Sequence, residues 1–107
     1  MTRIPTNRTP THPGEIIRRE FLEPLGMTQH EAAEKLGISR VRLNQIINAR
    51  RGVTPDTALR LERLFGMSAQ TWLNMQLRWD LYEAMHSKAS REINKIRLLP
   101  QLERAIA

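Results

Sequence analysis

Residues 28–52 read TQHEAAEKLGISRVRLNQIINARRG, and the order of caps, breaks and charge in this stretch decides the fold. Thr28 is an N-cap residue for a helix running to about Leu36, and Glu31, three residues on, completes a capping box. Gly37 breaks that helix. Ser39 then caps a second one, from about Arg40 to Asn48. Ala32 and Ala33 are small where the two helices must cross closely, while Ile38, Leu43 and Ile46 are apolar at spacings that face back toward the first helix. From Lys35 to Arg51 there are five basic residues and no acidic one. A short helix pair of this kind, with a basic and solvent-facing second helix, is a helix-turn-helix able to enter a DNA major groove.

The second helix then supplies the candidate reading residues. Recognition helices meet base edges with their N-terminal residues, here Arg40, Val41 and Arg42, followed by Asn44 and Gln45. Arginine can pair in bidentate fashion with guanine O6 and N7, and Asn or Gln with adenine N6 and N7; Val41 offers apolar contact, as to a thymine methyl. Gln29 falls in the first exposed turn of the preceding helix, within reach of a phosphate. Ser39 and Asn48 flank the recognition helix and are placed to donate to phosphates, and Arg50 and Arg51 lie in the following loop, better suited to backbone than to bases.

The remaining composition is consistent with an anionic partner. The chain has 107 residues, a formal net charge of +6 and no cysteine. The first figure indicates one domain with tails. The second favours a polyanion. The third excludes thiol chemistry, disulfide bracing and Cys-based zinc sites, and fits the cytoplasm. Charge is unevenly placed: residues 1–27 sum to +1, 28–53 to +3, 54–87 to −1 and 88–107 to +3. Positive density therefore sits on the recognition unit and on the C-terminal tail. No apolar run approaches the roughly 20 residues of a membrane span, and the N-terminus lacks the apolar core of a signal peptide.

Around the helix-turn-helix the chain reads as three further helices. Residues 1–11, with two prolines and four threonines, are expected to form a flexible arm bearing Arg3 and Arg8. His12-Pro13-Gly14-Glu15 opens the first helix, with Ile16, Ile17, Phe21 and Leu22 on its apolar face and an end near Pro24 and Gly26. Thr54-Pro55-Asp56 starts another, whose buried face is expected to be Ala58, Leu59, Leu61, Leu64 and Phe65, with Arg60, Glu62 and Arg63 outside. Ser68 caps the last, from Ala69 to about Ser87. Its apolar residues exceed one face: Trp72, Met75, Trp79 and Tyr82 follow one stripe, and Leu73, Leu77, Leu81 and Ala84 another. One stripe closes the domain and the other calls for a partner, so a homodimer is expected, with Met75, Trp79 and Tyr82 assigned to its interface. Residues 12–87 thus form a DNA-binding and dimerisation domain. Residues 88–107 read as a basic tail or a short helix interrupted at Pro100. His12 and Glu15 are explained by a helix start, and His30 and His86 have no metal-ligand spacing. Without paired catalytic carboxylates or a Gly-rich phosphate loop, neither catalytic residues nor a cofactor or metal is expected.

The pattern Gln29, Ala33, Gly37, Ile38, Leu43, Ile46 resembles the phage repressor and Cro class of helix-turn-helix domains, the XRE family, over about residues 12–66. That resemblance implies an all-α, five-helix lambda-repressor-like fold, phosphate contacts at Gln29 and Asn48, and base contacts at Arg40 and Val41. A narrower resemblance rests on the HPGE opening, the R-G-V-T loop at 51–54, A-L-R-L at 58–61 and W-L-N-M-Q-L-R-W-D-L at 72–81. Together these are similar to the HigA family of addiction-module antitoxins. Ala49 departs from that pattern, which usually has glycine there; a left-handed backbone at this point would strain alanine. The resemblance implies repression of the protein's own operon through a palindromic operator in double-stranded DNA, and neutralisation of a RelE/HigB-like ribonuclease toxin. Because this chain is itself basic, such an interface would draw on Glu15, Glu20, Glu23, Asp80 or Glu83, or on apolar surface. The alternative is an XRE-type regulator with no toxin partner.

Overall fold

A computed structural model of the chain describes residues 8–106 and is helical, with no strand among the described residues. The residue 1–7 portion of the expected N-terminal arm, with Arg3, lies outside that range. Seven helices follow in order. The first, α1, runs through residues 13–25 as three continuous pieces: α-helical Pro13–Ile16, a π-helical turn Ile17–Leu22, and Glu23–Leu25. Then come α2 (Gln29–Leu36), α3 (Arg40–Ile47), α4 (Pro55–Phe65), α5 (Ala69–Met85), α6 (Ser90–Asn94) and α7 (Pro100–Ile106). The wide turn in α1 immediately precedes Pro24. Proline lacks an N–H and its ring presses on the carbonyl four residues back, so a looser turn lets the helix continue through it.

Local sequence sets the boundaries. Thr28, Ser39, Thr54 and Ser68 each accept from the backbone N–H three residues on, at Glu31, Arg42, Thr57 and Thr71, over 3.0–3.4 Å. The Thr28–Glu31 pair makes this forward bond of the expected capping box. The helices close on left-handed residues: Gly26 after α1, Gly37 after α2 and Gly66 after α4. The exit from α3 uses the same device without glycine. Ala49 has φ 58°, its N–H donates to Ile46 O, and the Arg50 N–H donates to Gln45 O at 2.8 Å. This is the paired carbonyl capture that ends a helix on a left-handed residue. Holding alanine there costs roughly 1 kcal/mol relative to glycine.

The core is built from Ile17, Leu22, Ala32, Ala33, Leu36, Leu43, Ile46, Val53, Ala58, Leu61 and Trp72, all buried. Phe21 stacks on Phe65, with ring centroids 4.4 Å apart, and fastens α1 to α4. Two expectations for α4 are corrected. Leu59 is 57% exposed, because it lies about 100° round the helix from Ala58, off the arc holding Leu61, Leu64 and Phe65. Arg60 and Glu62 turn back on the fold. Arg60 donates to the last carbonyl of α2, Leu36 O, at 2.9 Å, and Glu62 accepts from the Ala69 N–H at 2.8 Å.

The start of α1 lies under the end of α3. Gly14 is buried, and a Cβ at that position would stand 1.9 Å from the Ile46 carbonyl oxygen. His12 caps the same helix by accepting from the Gly14 N–H at Nδ1, 2.9 Å, and its ring meets Trp79 edge-on at 5.0 Å. Burial holds its imidazole below the ordinary histidine value, against an opposite pull from Asp80. Beyond α5 the chain leaves this domain. Ile93, Ile96, Leu98, Leu99 and Leu102 are 48–77% exposed, so α6 and α7 form an arm rather than a further layer. The long dimension is 55 Å against 26 and 22 Å across.

Gly14→Ala should be the most damaging single methyl in the domain. The obstacle is main chain, which cannot rotate aside, so we expect a loss of at least about 3 kcal/mol in urea unfolding, at the upper end of overpacking costs.

Candidate nucleic-acid interface

The α2–α3 unit presents one face of α3 to solvent. Leu43 and Ile46 point inward and are fully buried. Val41, Asn44, Gln45 and Asn48 occupy the opposite arc, with Arg40 at its edge; Val41 is 67% exposed. Lys35, Arg40, Arg50 and Arg51 surround this face, are exposed, and have no carboxylate within ion-pair distance among the described residues. Four uncompensated cations around an uncharged polar stripe make a surface suited to phosphates outside and base edges within.

The side chains singled out from the sequence fall into two groups. Arg40, Val41, Arg50 and Ser39 stand free: Ser39 Oγ accepts from Arg42 N, which leaves its hydroxyl proton to donate. Others are engaged inside the protein. Arg42 turns toward α4, where its guanidinium donates to Thr57 Oγ1 and lies 3.8 Å from Asp56 Oδ1. Asp56 also accepts from Arg60 at 2.7 Å; that hydrogen bond, with the charges of Arg60 and Arg42, keeps its carboxyl below the usual range. Asn44 Nδ2 donates to Gln29 Oε1 at 3.0 Å, and Asn48 Nδ2 donates to the Asn44 backbone carbonyl at 2.9 Å and to Asn44 Oδ1 at 3.3 Å. Arg51 Nε donates to Gln45 Oε1 at 2.9 Å. Arg42 and Asn44 thus brace the unit in the free chain, whereas sequence reasoning placed both among the base readers.

Two residues that position this surface escaped the sequence. Gln76 is buried on α5; its Oε1 accepts from the Val53 N–H at 2.8 Å, and its Nε2 donates to Asp80 at 3.0 Å. Gly52 lies so close that a Cβ there would come within 3.0 Å of the Gln76 amide. The basic loop leaving α3 is therefore pinned at Gly52 and Val53, directly after Arg51. The available signal was a lone amide between Trp72 and Trp79 on an otherwise apolar stripe. The second residue is Gly14, which seats α3 from below.

On α5, the residues assigned to a dimer interface are partly used by their own domain. Met75 packs against the core, Trp79 meets His12, and the Tyr82 hydroxyl accepts from Thr9 Oγ1 at 3.2 Å. Leu77 and Met85 remain open at 56% and 41%, with half-buried Leu81 between them. No group of three or more metal-ligating side chains occurs among the described residues, and no helix there is long and apolar enough to cross a membrane.

Comparison with known proteins agrees with this geometry. The helix-turn-helix family HTH_3 matches residues 19–72. Virulence-associated protein I of Dichelobacter nodosus is 51% identical over 82 residues, covering 77% of this chain and 76% of that protein. Among solved structures, the Pseudomonas aeruginosa antitoxin HigA with the higBA promoter superposes with a TM-score of 0.78 at 37% identity, over 84% of this chain and 98% of that one. Antitoxin GraA in complex with its operator gives a TM-score of 0.78 at 33% identity, over 91% and 98%.

Proposed function

The chain belongs to the helix-turn-helix family of DNA-binding proteins, in its HigA antitoxin group, and on that premise we propose that it is an antitoxin that represses its own operon. The carrying observation is the exposed α3 face with the cations Lys35, Arg40, Arg50 and Arg51, none of which has a carboxylate partner among the described residues. In this reading Arg40, Val41 and Gln45 meet base edges, while Gln29, Ser39, Arg50 and Arg51 hold phosphates. Arg42, bonded to Thr57, and Asn44, bonded to Gln29, keep α3 at its angle to α4 and α2, and Asn48 fixes Asn44 from within α3. Relatives solved with a promoter or an operator support this assignment. Titration of the operon's own promoter with purified protein at two salt concentrations should show specific binding that weakens steeply as salt rises. Arg40→Ala should cost about 1–3 kcal/mol and relax preference at one base pair, whereas Arg50→Ala should weaken all sequences alike. Equal affinity for promoter and random duplex would end the repressor reading.

Two copies are needed to read a palindrome, and the open α5 stripe of Leu77, Leu81 and Met85, with Tyr82 at its margin, is the surface proposed to join them. Sedimentation equilibrium should give twice the chain mass for the unaltered protein and the chain mass for Leu77→Asp. A dimer that survives the substitution moves the interface elsewhere.

The proposed partner is a RelE/HigB-like ribonuclease encoded next to this protein, in keeping with the antitoxin names of the relatives. Co-expression should restore growth to cells arrested by the neighbouring reading frame. Arrest that persists in the presence of folded antitoxin would leave a regulator with no toxin partner.

A further inference from the structure

The recognition face carries four amide side chains, and each is held by a group that fixes which way the amide points. An amide offers an oxygen on one side and an N–H₂ on the other, and which side faces a partner is ordinarily free to exchange. Here two fixed ends remove that freedom. Asn48 faces the backbone carbonyl of Asn44 at 2.9 Å, and a carbonyl only accepts, so Nδ2 must lie on that side. The same Nδ2 meets Asn44 Oδ1 at 3.3 Å, which turns Asn44 Nδ2 toward Gln29 Oε1 at 3.0 Å. The relay ends with Gln29 presenting N–H groups outward. At the other end, Gln45 faces the Nε of Arg51 at 2.9 Å. A guanidinium has donors and no acceptor, so Gln45 must turn its oxygen to Arg51 and its Nε2 away. That Nε2 has no partner among the described residues, and neither do the two terminal nitrogens of Arg51.

A glutamine with both ends free reads adenine, accepting from N6 and donating to N7. With its oxygen turned toward Arg51, the group it presents on the opposite side is the N–H₂, a donor. Facing adenine, such an amide finds one acceptor, N7, beside an N6–H₂ that gains no partner from it. Facing guanine it meets two acceptors, O6 and N7, and facing thymine it meets O4. The geometry points to Arg51 as a positioning residue that makes Gln45 present its N–H₂ to DNA, favouring guanine or thymine over adenine at one operator position. This rests on the operator-binding reading above. The two tasks of Arg51 are compatible: its Nε holds Gln45 while its terminal nitrogens face the phosphate backbone, and a phosphate there would hold the guanidinium in place.

The test is selection from a randomised duplex library with the full chain, in three forms. The unaltered protein and Gln45→Ala together identify the position that Gln45 reads, as the one whose preference the substitution erases. That position should be guanine or thymine in the unaltered selection. In Arg51→Met, which keeps a long apolar stem without donors, adenine should rise there by roughly fivefold or more relative to guanine, with other positions unchanged. Circular dichroism and melting should match the unaltered protein, since both side chains lie at the surface. Adenine at that position in the unaltered selection overturns the proposal. So does an Arg51→Met protein that binds every sequence more weakly without changing the preferred base, or a Gln45→Ala protein with every preference intact. Failure of the unaltered protein to enrich any motif would instead overturn the operator reading itself.

Discussion

The contact on which the rest of the structure depends is main chain against main chain. Gly14, in the first turn of α1, lies directly beneath the Ile46 carbonyl, where no side chain fits. It brings α1 within backbone distance of the exit of α3. Two residues earlier, His12 caps α1 and sets its ring against Trp79 of α5. On the same α5 stripe, Gln76 binds Val53 and closes on Gly52. The recognition helix is thus seated from below by a glycine and tethered beyond its end by a glutamine, while its outer face carries none of the packing. A reading surface can vary in sequence when its support is elsewhere.

Much of this was legible. Caps, breaks and small-residue crossings are local properties, so Thr28, Ser39, Thr54 and Ser68, the Ala32–Ala33 crossing and the glycine exits identify the helices correctly. The left-handed backbone at Ala49 was also visible, through the resemblance, because alanine stands where the family usually has a glycine. What stayed hidden depends on distant partners. Arg60 and Glu62 look like solvent-facing charges until the α2 terminus and the start of α5 are brought beside them. The bonds of Arg42 to Thr57 and Asp56 come into view only when α4 lies beside α3. Leu59 was misplaced by counting apolar residues without their angles. The π turn was hidden because Pro24 reads equally as a helix end, and α6 and α7 were hard to place because their apolar residues stay exposed and mark no packed face.

The same distinction between local and distant causes organises the chemistry of the surface. Charges near a neutralising partner, as in Arg42 with Asp56, stabilise the angle between α3 and α4. Arg40 and Arg50 have no such partner among the described residues and remain exposed. Conserving the fold and changing the ligand therefore draw on separate residues, even though both sets are arginine and both lie within one short stretch.

The arm formed by α6 and α7 has a consequence for how the molecule moves through solvent. A compact chain of this length has a radius of gyration near 13 Å, whereas this one has 17.5 Å. Drag grows with that outline, not with mass alone. A single copy will leave a gel-filtration column early, at the volume of a heavier globular standard, and elution position will overstate its degree of assembly.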